Sequence, residues 1–296
     1  MGSSNRKPKS NFKFTGERVP YKGATIQTYT FGSGDKVIFA FPSFPHSGFY
    51  FQLFTRYYDD TQFRFITFDL PGWGGWSHNI FVNKEYDFYE NVEIAKEILK
   101  YYNVNEFSLM GYSFGGAMAI KLASQLVDKL KKLVIVSGVV DYKIIKDEPM
   151  SKLVGLMKST NATWLLKYVV MKETRRYMRL LAADIDQEFL YEYKDAMENA
   201  SPKILLESAF ALFNVDLKKE IEAIRLHLPP TLIVNSIKEE ELFKKEAVFL
   251  AESLGVENIC HITGLHDDFI LRPKAETVHK VMEFLLEGDY RVNTSS

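Results

Sequence analysis

Short runs that are apolar at nearly every position constrain most strongly what this chain can become. Lys36–Phe41 (KVIFAF) and Phe63–Phe68 (FRFITF) carry apolar side chains on both faces of an extended segment, so neither face can be left to water. Phe107–Met110, Leu133–Val136, Leu232–Val234 and Asn258–Ile262 read as further strands. Between them lie segments with apolar residues at helical spacing: Tyr86–Tyr101, the Ala-rich Phe114–Leu126, and one near Leu242–Ser253. A last helix is expected to start near Pro273, a residue suited to the first helical position. Such alternation predicts an α/β fold whose mainly parallel sheet is covered on both faces. Glu17–Tyr21 and Ala24–Tyr29, joined through Lys22-Gly23, are expected as antiparallel strands at one edge.

From about 140 to 225 the pattern changes. No strand is expected there, and helical stretches follow one another: KLVGLMK, TWLLKYVVM, RRYMRLLAA, EFLYEYKDAM and ILLESAFALF. Asp184 with Gln187 suggests one helix start, and Ser201-Pro202 a cleaner one. A helical block set into an α/β chain reads as a lid over a binding site. The expected organisation is therefore a tail over 1–15, a core over 16–140 and 226–290, and a helical lid over 141–225.

Charge narrows the partners. Among 296 residues, 37 Lys and Arg balance 38 Asp and Glu, a net charge of −1. No overall field draws the chain to nucleic acid or an anionic membrane, so any such affinity must come from local features. The single cysteine, Cys260, excludes an internal disulfide and a multi-cysteine metal cage. The opening MGSSNRKPKS lacks the apolar core of a secretion signal, and Arg6 breaks the myristoylation pattern that Gly2 begins. No apolar run reaches the roughly 20 residues of a membrane span. The expectation is a cytoplasmic protein without stable membrane insertion and without a nucleic-acid partner, and the sequence leaves the oligomeric state open. Arg6, Lys7, Lys9 and Lys13 read as a solvated arm, and the glycosylation-like triplets at 161–163 and 293–295 as chance.

The chemistry is concentrated at Gly111-Tyr112-Ser113-Phe114-Gly115-Gly116, which ends a strand and opens a helix. A G-x-S-x-G turn in that setting presents the serine hydroxyl at the carboxyl end of the strand. Glycines on either side remove side chains that would collide with neighbouring backbone, and the Phe114 N–H at the helix start can bind an oxyanion. A dinucleotide fingerprint is disfavoured, because its second glycine would fall on Ser113. Serine needs a base. Of six histidines, His266 follows the last strand, where an α/β sheet places its site. His261 is expected to pack within that strand, His279 lies on the last helix, and His227 precedes two prolines. His78 and His46 follow loops that can reach a cleft. An orienting carboxylate completes the set; Glu239, Glu240 and Asp141 all qualify, whereas Asp267 and Asp268 are too local.

These residues together resemble the α/β-hydrolase superfamily, in particular lid-bearing serine hydrolases of the small-molecule esterase type. The resemblance rests on the elbow, on Phe68–Ser77 (FDLPGWGGWS), on the acidic loop after TLIVNS and on Gly264-Leu265-His266, and it runs from about residue 17 to 287. It implies an eight-stranded sheet, the order Ser113, Glu239, His266 for nucleophile, acid and base, and no metal or organic cofactor. The family's usual aspartate is replaced by Glu239. Its usual His-Gly pair after the third strand is replaced by Pro42-Ser43, which leaves Phe44 to give the second oxyanion N–H, since Pro45 has none.

The implied activity is hydrolysis of a small, fairly apolar carboxylic ester or related acyl compound through an acyl-enzyme. Phe44, His46, Trp73, Tyr112 and Trp164 are the expected substrate-binding residues, with Trp76 as a further wall. Thioesterase, lactonase, carbon–carbon bond hydrolase and aminopeptidase activities remain rivals on the same fold. A non-catalytic binding protein that retains the fold is the rival from another class.

Overall fold

The computed structural model describes residues 16–287 apart from 183, 184, 186 and 258. The basic arm before residue 16, the helix start at Asp184, the strand start at Asn258 and the triplet at 293–295 lie outside the described residues.

Eight strands form one sheet: β1 (Arg18–Tyr21), β2 (Ala24–Phe31), β3 (Lys36–Phe41), β4 (Phe63–Phe68), β5 (Phe107–Tyr112), β6 (Leu130–Val136), β7 (Thr231–Ser236) and β8 (Ile259–Ile262). Their spatial order is β1-β2-β4-β3-β5-β6-β7-β8. The strands β1 and β2 pair antiparallel to their neighbours, as their tight connection demands, and all the other pairs are parallel. The expected mainly parallel, eight-stranded α/β sheet is therefore the observed one. Phe39, Phe41, Leu109, Met110, Val134 and Ile135 are all fully buried, as strands covered on both faces require.

Among the described residues, twelve α-helices lie between and after the strands: α1 (Phe51–Thr55), α2 (Phe88–Tyr101), α3 (Phe114–Leu126), α4 (Tyr142–Ile145), α5 (Pro149–Ser159), α6 (Thr163–Leu181), α7 (Gln187–Asn199), α8 (Pro202–Leu212), α9 (Lys218–Arg225), α10 (Glu241–Leu254), α11 (Asp268–Leu271) and α12 (Ala275–Leu286). The residues from α4 to α9 are helical apart from loops and an isolated bridge between Asp141 and Asp216. The Ser201 hydroxyl accepts the Ile204 N–H and Pro202 opens α8, as the Ser-Pro signal predicts.

Two expectations need correction. Pro273 does not open the last helix. The extended Lys274 caps α12, because the chain needs a non-helical link after α11. His261 is exposed, not packed, because β8 is the edge strand of the sheet. The helical turns over Gly48–Thr55 carry no apolar stripe to read, since nearly every residue in them is buried.

The chain crosses from β3 to β4 on one side and returns to β5 on the other, so β3 and β5 flank the point where strand order reverses. Open α/β sheets form their ligand crevice outside the carboxyl ends of strands at such a point. Phe41 and Gly111, at those ends, are direct register partners.

Candidate active site

The turn after β5 is tight. Ser113 takes φ 53° and ψ −116°, a region costly for a residue with a Cβ. Neighbouring contacts hold it there. The Ser113 N–H donates to the Val136 carbonyl at 2.8 Å, and the Ser113 carbonyl accepts the Gly116 N–H at 2.8 Å. A side chain at Gly115 would sit 2.4 Å from the Phe41 carbonyl oxygen, and one at Gly111 would sit 2.5 Å from the Gly115 carbonyl oxygen. The two glycines therefore let α3 start directly against β3 and β5.

Three loops at the carboxyl end of the sheet converge. His266, in the loop after β8, places Nε2 2.8 Å from the Ser113 Oγ. Its Nδ1 lies 2.5 Å from the Glu239 Oε1, in the loop after β7. The Ser137 hydroxyl, just past β6, donates to the other Glu239 oxygen at 2.7 Å. The Phe243 ring stacks on the imidazole at 4.2 Å between centroids. The Tyr112 hydroxyl donates to the His266 carbonyl at 2.6 Å, and Ser236 donates to the Gly264 carbonyl, pinning both ends of the histidine turn.

The electrostatics follow from these contacts. Burial pushes the His266 imidazole down, but the hydrogen bond and charge of Glu239, with Asp267 and Glu240 nearby, outweigh it and hold the group above its ordinary 6.5. Burial alone raises Glu239, but its bonds to His266 and Ser137 bring it below 4.5. Proton affinity is thereby drawn toward the imidazole and away from the carboxylate.

Glu240 is the extended residue before α10, and its carboxylate makes no capping hydrogen bond; His266 Nδ1 meets Glu239 instead. Asp141 accepts the Lys143 N–H and pairs with Lys218 at 3.0 Å. Asp268 accepts the Leu265 N–H at 2.9 Å.

The loop after β3 is built on polar contacts the sequence did not reveal. The Ser43 Oγ and the His46 Nδ1 are 2.7 Å apart, and burial holds the His46 imidazole below its ordinary pKa. The Asp69 carboxylate is buried and accepts four donors: Tyr29 hydroxyl, Ser47 hydroxyl, Gly48 N–H and Trp76 N–H. It ties the Pro42–Gly48 loop to the Asp69–Ser77 turn. Among the described residues neither the Phe44 nor the Phe114 N–H has a backbone acceptor; Phe114 is the first residue of α3, where a helix leaves its N–H groups unpaired.

A cavity of about 280 Å³ contains Ser113 and His266. Phe44, His46 and Asp267 line it from the core, and Met150, Val154, Leu166 and Tyr177 line it from α5 and α6. Of the other expected binding residues, Trp73 is buried behind this wall. Its ring edge meets Phe44 and Phe114, and its Nε1–H donates to Ser208 at 2.9 Å. Trp76 is likewise buried against Phe49. Tyr112 faces the His266 loop. Trp164 is 69% exposed on the outside of α6, because its position on that helix is opposite the buried stripe. His78 is held at the start of β2 by the Thr25 N–H. A larger cleft of about 670 Å³, lined by Arg56, Leu265 and Arg272 among others, does not include Ser113 or His266.

A family model described as "alpha/beta hydrolase fold" matches residues 36–170. The structure is similar to a bromoperoxidase from Bacillus anthracis, at 20% identity and TM-score 0.74, covering 93% of this chain and 100% of that one. It is also similar to an enol-lactonase from Burkholderia xenovorans LB400, at 16% identity and TM-score 0.69 over 90% and 98% of the two chains. An esterase from Exiguobacterium antarcticum gives 16% identity and TM-score 0.69 over 92% and 99%. Among curated proteins, a probable 1-acylglycerol-3-phosphate O-acyltransferase from Oryza sativa subsp. japonica is 35% identical over 91 residues, 30% of this chain. The chain spans only 22% of the length of that relative. With its sheet order and serine turn, the chain has the α/β-hydrolase fold.

Proposed function

We propose that the chain is a serine hydrolase acting on a small, fairly apolar carboxylic ester or related acyl compound, with Ser113 as nucleophile, His266 as base and Glu239 as orienting acid. One observation carries the reading: the Ser113 Oγ, the His266 ring and the Glu239 carboxylate lie in a line of contacts of 2.8 and 2.5 Å. That arrangement activates a hydroxyl that is a weak nucleophile by itself.

The Ser113 Oγ attacks the acyl carbon as its proton passes to the His266 Nε2. The tetrahedral oxyanion takes hydrogen bonds from the N–H groups of Phe44 and Phe114, each worth on the order of 3 kcal/mol in comparable sites. The C–O bond to the alcohol then breaks, and the alcohol leaves with the proton from Nε2. Water, deprotonated by His266, cleaves the acyl-enzyme and restores Ser113. Glu239 stabilises the imidazolium in both halves.

Substrate size follows from the cavity, whose volume of about 280 Å³ is near the lower end of the roughly 300–1,000 Å³ of small-molecule sites. Its apolar walls, Met150, Val154, Leu166, Val170, Leu212 and Phe213, favour an acyl chain without charge. The helices over 142–225 serve as the lid that supplies most of these walls. The similar proteins differ in activity, and acyl chemistry is what the enol-lactonase and the esterase have in common. Turnover of p-nitrophenyl butyrate by wild type and Ser113→Ala tests it. The variant is expected to lose activity by about 10³-fold or more with its fold intact, and undiminished turnover would remove Ser113 from the mechanism.

A further inference from the structure

We propose that the outer face of α5 and α6 docks the protein onto an anionic phospholipid bilayer. Met150, Leu153 and Leu156 around α5, and Trp164, Tyr168 and Val169 on α6, are each at least 36% exposed. Both helices pack on α8 through their other faces, which include the buried Val154, Met157, Leu166 and Val170. The exposed residues therefore point away from the body of the molecule.

Charge identifies the occupant. Residues 149–181 hold seven lysines and arginines against one glutamate, a net +6 in a chain whose net charge is −1. On α6 the exposed positions Trp164, Tyr168, Lys172, Arg175 and Arg179 recur every three or four residues, opposite the buried stripe, so they form one ridge. Among the described residues, Lys152, Lys172, Arg175 and Arg179 have no carboxylate partner. Aromatic side chains settle at the headgroup level of a bilayer and cations meet its phosphates. Leu153 and Leu156 would add nothing to a nucleic-acid site but add apolar area to a bilayer contact. A second copy would bring two strongly cationic faces together. No described helix is long and apolar enough to cross a membrane, so the contact is peripheral.

The docked face opens on the cavity. Met150 and Val169 are both exposed on the outside and part of the wall around Ser113. An apolar compound dissolved in the bilayer would meet the cavity mouth without first crossing water. The docking itself goes beyond the hydrolase reading and does not depend on Ser113 chemistry.

The test is sedimentation of the full chain, and of its Ser113→Ala variant, with vesicles of phosphatidylcholine alone or with about one quarter phosphatidylserine. Both proteins are expected to pellet with the anionic vesicles and to be released by salt. Arg175→Glu/Arg179→Glu should weaken partitioning by about twentyfold or more, and Leu156→Ser/Tyr168→Ser by about tenfold. Both variants should keep wild-type turnover of the soluble ester. Trp73 and Trp76 are buried, so a blue shift of tryptophan emission on adding vesicles would report Trp164 entering the interface. The proposal is overturned if the anionic vesicles bring down no protein, if the charge-reversed variant pellets equally, or if the face instead joins two copies or captures single-stranded RNA in place of lipid.

Discussion

Ser113 holds a strained backbone, φ 53° and ψ −116°, and neighbouring glycines make that conformation possible. Its partners carry the first prediction. Glu239→Gln should cut the rate of ester turnover by about 10³–10⁴-fold, whereas Glu240→Gln and Asp141→Asn should change it by less than about threefold. The Glu239 carboxylate, not theirs, meets the His266 Nδ1, and Asp141 pairs with Lys218. The second concerns pH. His266 must be neutral to accept the serine proton, and its contacts hold it above 6.5. The kcat/KM profile should therefore fall as pH drops through an inflection above 6.5, and a flat profile into the acid range would remove His266 as base. The meeting of the Ser113, His266 and Glu239 side chains was legible in the sequence because each follows a strand that ends on the same side of a parallel sheet. Ser137 and Phe243 were not. Ser137 reaches Glu239 across 102 positions of sequence, a contact that only strand order creates. Trp164 misled, because aromatic residues at helical spacing look alike whether they face the cavity or solvent.

At the scale of elements, the loop after β3 decides whether Phe44 can donate to an oxyanion. The family's His-Gly is absent, but Asp69 fixes this loop with its four accepted hydrogen bonds. Asp69→Asn exchanges one acceptor oxygen for an NH₂ that faces donors. It should lower stability by about 1–3 kcal/mol in urea unfolding and should lower kcat more than it raises KM. Unchanged stability would show that the carboxylate is not the tie. Gly115→Ala would force a Cβ to within 2.4 Å of the Phe41 carbonyl oxygen. It should lower the melting temperature and reduce turnover together, because α3 cannot retreat from β3 without moving the Phe114 N–H. The strands and most of the helices were readable from periodicity alone. The helical turns over Gly48–Thr55 were not, since burial on all sides leaves no stripe.

At the scale of the whole molecule, the core stabilises a site that in turn makes stability depend on pH. His266, raised above 6.5, contributes stability that is complete below 6.5 and disappears as pH rises through its folded value. Glu239, depressed below 4.5, contributes stability that is complete above 4.5 and disappears as pH falls through its folded value. The stability difference between wild type and Glu239→Gln should therefore be greatest between about pH 4.5 and 6.5 and shrink on either side in urea titrations. The balanced overall charge gave no hint of the cationic face on α5 and α6, because a chain total hides an asymmetry carried by 33 consecutive positions, 149–181. The central claim is that one hydroxyl is activated by one imidazole. Labelling the intact protein with a fluorophosphonate and mapping the adduct by mass spectrometry tests it most directly. A single adduct on Ser113, lost in His266→Ala, is the expected result; an unlabelled protein, or an adduct on another residue, would contradict it.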